Sequence, residues 1–449
     1  MTNSPIYQSS AIGIRESVIK GELSVSELAR KLIEYVKEVD GEICALTNFN
    51  PEQVLIQAQF LDNYKATGEA LGPLHGVPVV LKDIIDTEDH PTENGIDLDS
   101  GRVAKRDAFL VGKLRQAGAL ILGKGRTTPL AYMDPTLTRN PKNLEKSPGG
   151  SSSGCAAAVS AWMAPLAVGT QTGGSVIRPA AFCGVVGFKP SFGLISRSGV
   201  LAQSPSLDTV GIIANNLEDA ALLTDVLVGF DPLDSATKPI PARECLRVSR
   251  ERVPVKPMFA FLDMPSLNEC SEDMLSALRE LESTLDEQAF FTELPRAFEE
   301  CIEARRTVNF AEMAKCYYKY YEAGSENLPA KVREAIEIGL TVPARDYLGA
   351  LDWRSIVSGA LEEIFERADV LVCPSTLGEA PDYGDVGDPV FNSLWTFTGH
   401  PVVNLPIFES DTGMPMGVQL IGQINDDGRL LRTARWLVEF LEKNAGEVI

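Results

Sequence analysis

The chain has 449 residues, 44% apolar and 23% charged, with 41 Lys and Arg against 62 Asp and Glu for a net charge of −21. That balance is a globular protein's and excludes whole-chain disorder, while 37 Gly and 28 Pro without a fixed period exclude a fibre. The acidic excess argues against nucleic acid or an anionic membrane as a partner, since both are bound through clustered Lys and Arg.

The first elements are helical. Ser24 and Glu27 fit a capping box, and Leu28, Leu32, Tyr35 and Val36 follow as an apolar stripe. Pro51 suits the first turn of a second helix running to about Tyr64. From Leu71 the texture changes. Turn signals lead into a run from Val77 to Leu81 that reads as a buried strand ending at Lys82 and Asp83. Residues 109–118 read as helix and Ala119 to Leu122 as strand. The alternation predicts an α/β fold with a large, mixed, mostly parallel central sheet covered by helices on both faces.

Residues 139–155 form a loop rich in Gly, Ser and Pro, and Cys155 to Met163 a small-residue helix stopped by Pro165. Leu166 to Val168 begins a strand, and a second glycine loop, Thr170 to Ser175, follows at once. The chain reads as one domain, 1–449. Residues 1–70 are N-terminal helices, 71–216 the core that carries the loops, 217–347 a helical insertion or cap, and 348–449 a return to the core. A final helix runs from about Asp427 to Glu442.

The eight cysteines are scattered, and with three histidines no zinc spacing forms, so no metal and no cofactor are expected. Scattered cysteines read as reduced, hence a cytoplasmic protein, and no secretory signal or membrane span is visible.

The first loop, Gly149 to Gly154, contains a formal G-x-S-x-G around Ser152, but residues 143–148 are no strand, so it is no nucleophile elbow. Gly118 to Lys124 has P-loop spacing, but Gly125 stands where Ser or Thr would bind magnesium. The second loop says more. Two glycines before a serine let the amides of Thr172, Gly173, Gly174 and Ser175 turn toward one point, as an oxyanion hole requires, although an ordinary tight turn has the same composition. A base is also needed. Lys82 closes an apolar run, and burial there can lower a lysine pKa of about 10.4 toward neutrality. The alternative pairs Lys82 with Asp83 or Asp86.

Together, GPLHGVPVVLKD, SPGGSSSG, GTQTGGSVIRPAAFCGVVGFKPSFG, SLDTVG and PMGVQLIG closely resemble the amidase signature family, from about Leu23 to Ile421. The resemblance implies a Ser–cis-Ser–Lys triad. Ser175 is then the nucleophile, Ser151 the bridging serine after a cis peptide bond, and Lys82 the base. It implies hydrolysis of linear C–N acyl bonds, amide or carbamate (urethane), through an acyl-enzyme, with a small-molecule substrate and a monomer or homodimer. The alternative is the glutamine-hydrolysing A subunit of a tRNA-dependent amidotransferase. Many family members carry Asp where this chain has Gln171, and many place Arg two residues after the nucleophile, where Arg178 is three after. Both departures lean toward the free-standing hydrolase. Members acting on small acid amides resemble the SVIRP arrangement, so Arg178 either reads a substrate carboxylate or ties the loop to a carboxylate or to backbone carbonyls. Gln171 and Ser152 complete the substrate-binding candidates.

Overall fold

In the computed structural model, residues 8–444 are described, except 240, 242 and 243. Among the described residues, eleven strands form one sheet: β1 Leu46–Thr47, β2 Pro78–Lys82, β3 Leu120–Gly125, β4 Leu166–Gln171, β5 Val186–Lys189, β6 Thr209–Ala214, β7 Phe259–Asp263, β8 Ala289–Glu293, β9 Val370–Pro374, β10 Val402–Glu409 and β11 Pro415–Ile421. Their order is β1-β3-β2-β4-β6-β5-β10-β11-β9-β7-β8. β2, β3, β4, β6 and β9 are buried at every residue, so both faces of this part of the sheet are covered, which is why their sequences are continuous apolar runs.

The class is the expected α/β fold with a large mixed sheet. The balance of strand directions differs from the expectation: four neighbouring pairs are parallel and six antiparallel. Only the turn at 410–414 joins β10 to β11, and a connection that short forces an antiparallel pair. The segment 217–347 also departs from a purely helical cap. It supplies β7 and β8, which pair in parallel and extend one end of the sheet. β8 is half exposed, so it lacks the solid apolar run that marks an inner strand.

Other elements fall where periodicity put them. The Ser24 hydroxyl caps the Val25–Ile43 helix by accepting from the Glu27 amide at 3.0 Å. Pro51 opens the Pro51–Ala66 helix, and the last described helix is Asp427–Asn444. Among the described residues, no helix is long and apolar enough to cross a membrane.

Two strand ends position the polar loops. β2 and β4 run parallel side by side, and each delivers a polar segment at its C-terminal end: Lys82 from β2, and residues 170–175 from β4. The 149–154 loop opens the Ser153–Ser160 helix, which packs against β2, β3 and β4.

Candidate active site

Lys82 is fully buried at the end of β2. Its Nζ donates to Ser151 Oγ at 2.6 Å and to Thr170 Oγ1 at 2.9 Å. Among the described residues, no carboxylate pairs with it. Asp86 pairs with Arg102 at 2.5 Å, while Asp83 accepts from the Glu93 amide and shares its field with Lys124. Strand alternation explains the separation, because Asp83 turns to the opposite side of the chain from Lys82. Burial without an acid partner pulls the Lys82 ammonium down to about 7, against an ordinary 10.5. The amine is therefore half neutral near pH 7.

The Gly150–Ser151 peptide bond is cis. Gly149 has φ of 75°, and a Cβ there would lie 2.9 Å from the Phe182 ring, so only glycine fits. The Ser151 carbonyl accepts from the Thr128 amide at 3.2 Å, which holds the loop from below.

The second loop meets the first directly, since the Ser152 amide donates to the Ser175 carbonyl at 3.2 Å. Lys82, Ser151 and Ser175 are thus brought together from three separate stretches of chain. The Ser175 hydroxyl makes no hydrogen bond to a described residue, and none of these residues accepts from the amides of Gly173, Gly174 or Ser175. The loop therefore holds a run of free donors beside a free hydroxyl. That is the arrangement an oxyanion hole needs.

Gln171 explains the shape of this loop. Its side-chain oxygen accepts from the amides of Val176 at 2.9 Å and Ile177 at 3.0 Å, capping the Ile177–Cys183 helix. Its Nε2 donates to Thr396 Oγ1 at 3.1 Å, and Thr396 donates onward to the Gly173 carbonyl at 2.7 Å. Gln171 therefore shapes the loop and does not face substrate, which corrects its expected role. A neutral amide suffices for this work, so Gln171 says nothing about which amide is cleaved.

Ser152 is corrected in the same way. It is fully buried, and its hydroxyl donates to the Thr170 carbonyl at 3.3 Å. Arg178 takes the structural one of its two expected roles. It is only 1% exposed, and its guanidinium donates to the Gly387 carbonyl at 3.0 Å and the Gly150 carbonyl at 2.8 Å. A third contact is Met133 Sδ at 3.7 Å. Burial without a bonded carboxylate lowers its pKa to about 10. Arg178 locks the cis-peptide loop to the 387 turn, and its fork is occupied by backbone.

Thr172, expected in the oxyanion hole, also has a tethering role. Its hydroxyl donates to Asp208 at 2.6 Å, and Asp208 accepts from the amides of Gln203 and Ser204 at 2.9 Å each. Burial raises that carboxyl to about 6. Glu312, on the Phe298–Gly324 helix, accepts from Ser204 and Ser206, each at 2.5 Å, and from Tyr347 at 2.8 Å. A polar chain thus links the distant helices to the oxyanion loop. A cavity of about 190 Å³ borders it, lined in part by Thr170, Thr172, Ala131 and Gln203.

Thiol and imidazole alternatives find no support. Cys155 and Cys183 donate weakly to the Val168 and Pro148 carbonyls, and burial raises both thiols, the first to about 12. His400 is stacked on Phe365, bonded to Thr398 and held neutral by burial, with its pKa near 3. Sequence reasoning did not single out Thr170, Thr396 or Glu312. Only Thr170 stood inside a recognisable loop.

Comparison with known proteins places this geometry. The family model described as Amidase matches residues 27–431. The glutamyl-tRNA(Gln) amidotransferase A subunit of Natranaerobius thermophilus is 31% identical over 98% of this chain and 97% of its own length. A solved structure of a vestigial complex, tied to the origins of an s-triazine catabolic enzyme, superposes with a TM-score of 0.90. It is 28% identical and covers 96% of this chain and 98% of that one. The substrate complex of 6-aminohexanoate cyclic dimer hydrolase gives 0.87 at 26% identity, covering 98% of both chains.

Proposed function

The chain belongs to the amidase signature family of C–N amide hydrolases, and from that premise we propose that it cleaves a small carboxamide to acid and ammonia through a Ser175 acyl-enzyme. The observation that carries the reading is the buried, carboxylate-free Lys82 bonded to the serine after the cis peptide, next to a loop of free amides.

The steps follow from the geometry. Neutral Lys82 takes the Ser151 proton as Ser151 takes that of Ser175, and Ser175 Oγ attacks the acyl carbon. The amides of Gly173, Gly174 and Ser175 receive the negative charge that forms on the carbonyl oxygen. The Lys82 ammonium then returns a proton through Ser151 to the departing nitrogen, which cannot leave as an anion. Water enters by the same relay and releases the acid. The Ser175–Ser151 link is open in this structure and closes as substrate settles, as is common for catalytic hydrogen bonds without substrate.

Between the two settings for this chemistry, the relatives favour the glutamine-hydrolysing A subunit over the free-standing amidase that the sequence put first. Amidotransferase A subunits match nearly the whole chain at 30% to 34% identity. The two sequence features that leaned the other way have lost their weight, because Gln171 is taken up by loop amides and Thr396, and Arg178 by backbone carbonyls. A carbamate substrate would give the same intermediates, so the triad does not select it. The test measures ammonia release from glutamine, short acid amides, neutral amides and aryl carbamates, with Ser175→Ala alongside. It also asks whether tagged protein retains partner subunits from its native host. Glutamine turnover with retained partners supports the subunit reading. Turnover of other amides by the isolated chain restores the free-standing amidase, and carbamate cleavage alone overturns both.

A further inference from the structure

With Arg178 bound to backbone, the site needs another group to recognise a charged substrate, and the Phe298–Gly324 helix supplies one. Its buried positions Phe298, Cys301, Val308 and Glu312 fall on one face, and at about 100° per residue Arg305 lies in the middle of that face. The face packs toward the catalytic loops. The Phe298 ring is 6.3 Å from Trp395, on the Ser393–Thr398 helix whose Thr396 holds the Gly173 carbonyl. Further along, Glu312 binds the loop that tethers Thr172. Arg305 therefore sits between two anchors that both lead to the oxyanion loop.

Yet Arg305 has no hydrogen bond and no ion pair with any described residue, unlike most arginines of this chain. It is half-buried, and burial disfavours its charge. Its charged and polar surroundings are Tyr132, Asp388, Arg306 and Cys301. The Tyr132 hydroxyl also has no partner among the described residues, and the next residue, Met133, touches Arg178. Asp388 is exposed, in a segment that crosses the site. Val386 on one side of it lies over Gly150, and Pro389 on the other lies over Gly173. Arg305 thus lies within electrostatic reach of the segment that covers both loops. A partly dehydrated, unpaired guanidinium with a free phenol beside it is a ready site for a carboxylate, which its planar fork binds through two parallel hydrogen bonds.

We infer that Arg305, with the Tyr132 hydroxyl, binds a carboxylate of the substrate, so that the amides cleaved are those of dicarboxylic or amino-dicarboxylic acids. This deepens, and rests on, the reading of the site as an amide hydrolase.

Two readouts separate the ideas. Turnover of succinamic acid and of butyramide, which lacks the carboxylate, is compared in wild type, Arg305→Gln and Arg305→Lys. The expected result is a fall of roughly 10- to 100-fold in the kcat/KM preference for succinamic acid in Arg305→Gln, carried by KM, with part restored in Arg305→Lys. Calorimetry then follows succinate binding to the Ser175→Ala protein with and without Arg305→Gln. Loss of succinate binding on Arg305→Gln supports the inference even if no amide is turned over, in which case the hydrolase reading alone fails. An unchanged preference, or succinate binding that is absent or indifferent to Arg305, overturns it.

Discussion

Replacing Lys82 by methionine should abolish turnover and make stability relative to wild type more favourable at pH 6 than at pH 9. The reason is the cost of holding an ammonium in a fully buried site. The gap between a folded value of about 7 and an ordinary 10.5 corresponds to about 5 kcal/mol of disfavoured charge. The sign follows from proton counting. Between these two values the unfolded lysine is charged and the buried one neutral, so unfolding takes up a proton and stability rises with pH across that window. At pH 6 the wild-type fold carries nearly the whole penalty, whereas at pH 9 only about 2 kcal/mol of it remains. Methionine carries none at either pH. It does leave the Ser151 and Thr170 hydroxyls without their partner, at about 1 to 3 kcal/mol each, but that loss is the same at both pH values. The stability of Lys82→Met relative to wild type should therefore fall by about 3 kcal/mol from pH 6 to pH 9. Urea unfolding of both proteins at both pH values reads it directly. A difference that does not change with pH would refute the claim that a free amine sits in this site.

The rate should follow the same group. kcat/KM is expected to rise with pH through about 7 as Lys82 loses its proton and then level off, and a profile flat from pH 5 to 9 would move the base elsewhere. Gly174→Ala should remove activity and destabilise the fold by about 1 to 3 kcal/mol, because the new Cβ would lie 2.4 Å from Asn392 Oδ1 in a side chain tethered to Ser375; adding Asn392→Ala should recover part of the stability, as thermal unfolding would register. Glu312→Ala leaves the Ser204, Ser206 and Tyr347 hydroxyls unpaired and should cost about 3 kcal/mol or more, with a lowered kcat through the loosened Thr172 tether; a loss confined to stability would cut the proposed link to the oxyanion loop.

The parts of this protein that local chemistry dictates were legible in the sequence. A β-branched run ending in lysine reads as a buried strand with an amine at its tip, and β2 with Lys82 is that. The Gly–Ser loops announced a backbone bent for close approach. What could not be read depends on chain segments far apart. Thr396 lies more than two hundred residues from the Gly173 carbonyl it holds, on a short helix with no marking composition. Glu312 looks like any solvated glutamate in a charged helical stretch, and only the fold reveals three hydroxyls around it. Arg178 stayed open between two roles because its spacing from Ser175 suited a pocket residue as well as a loop tie, and the carbonyls that occupy its fork come from residues 150 and 387. β8 was hidden because it is the edge strand, where burial on both faces is not required, and β7, an inner strand buried at four of its five residues, because it lies within a charged, mostly helical stretch.

The central claim is that Ser175 forms the acyl-enzyme, and the most direct test is to catch it. The protein is mixed with an activated p-nitrophenyl ester at pH 8, quenched in acid within the first turnover and mapped by peptide mass spectrometry. The account predicts one stoichiometric acyl adduct on Ser175, absent from Ser175→Ala and slow to form in Lys82→Met. An adduct on another residue, or amide turnover that persists in Ser175→Ala, would contradict it.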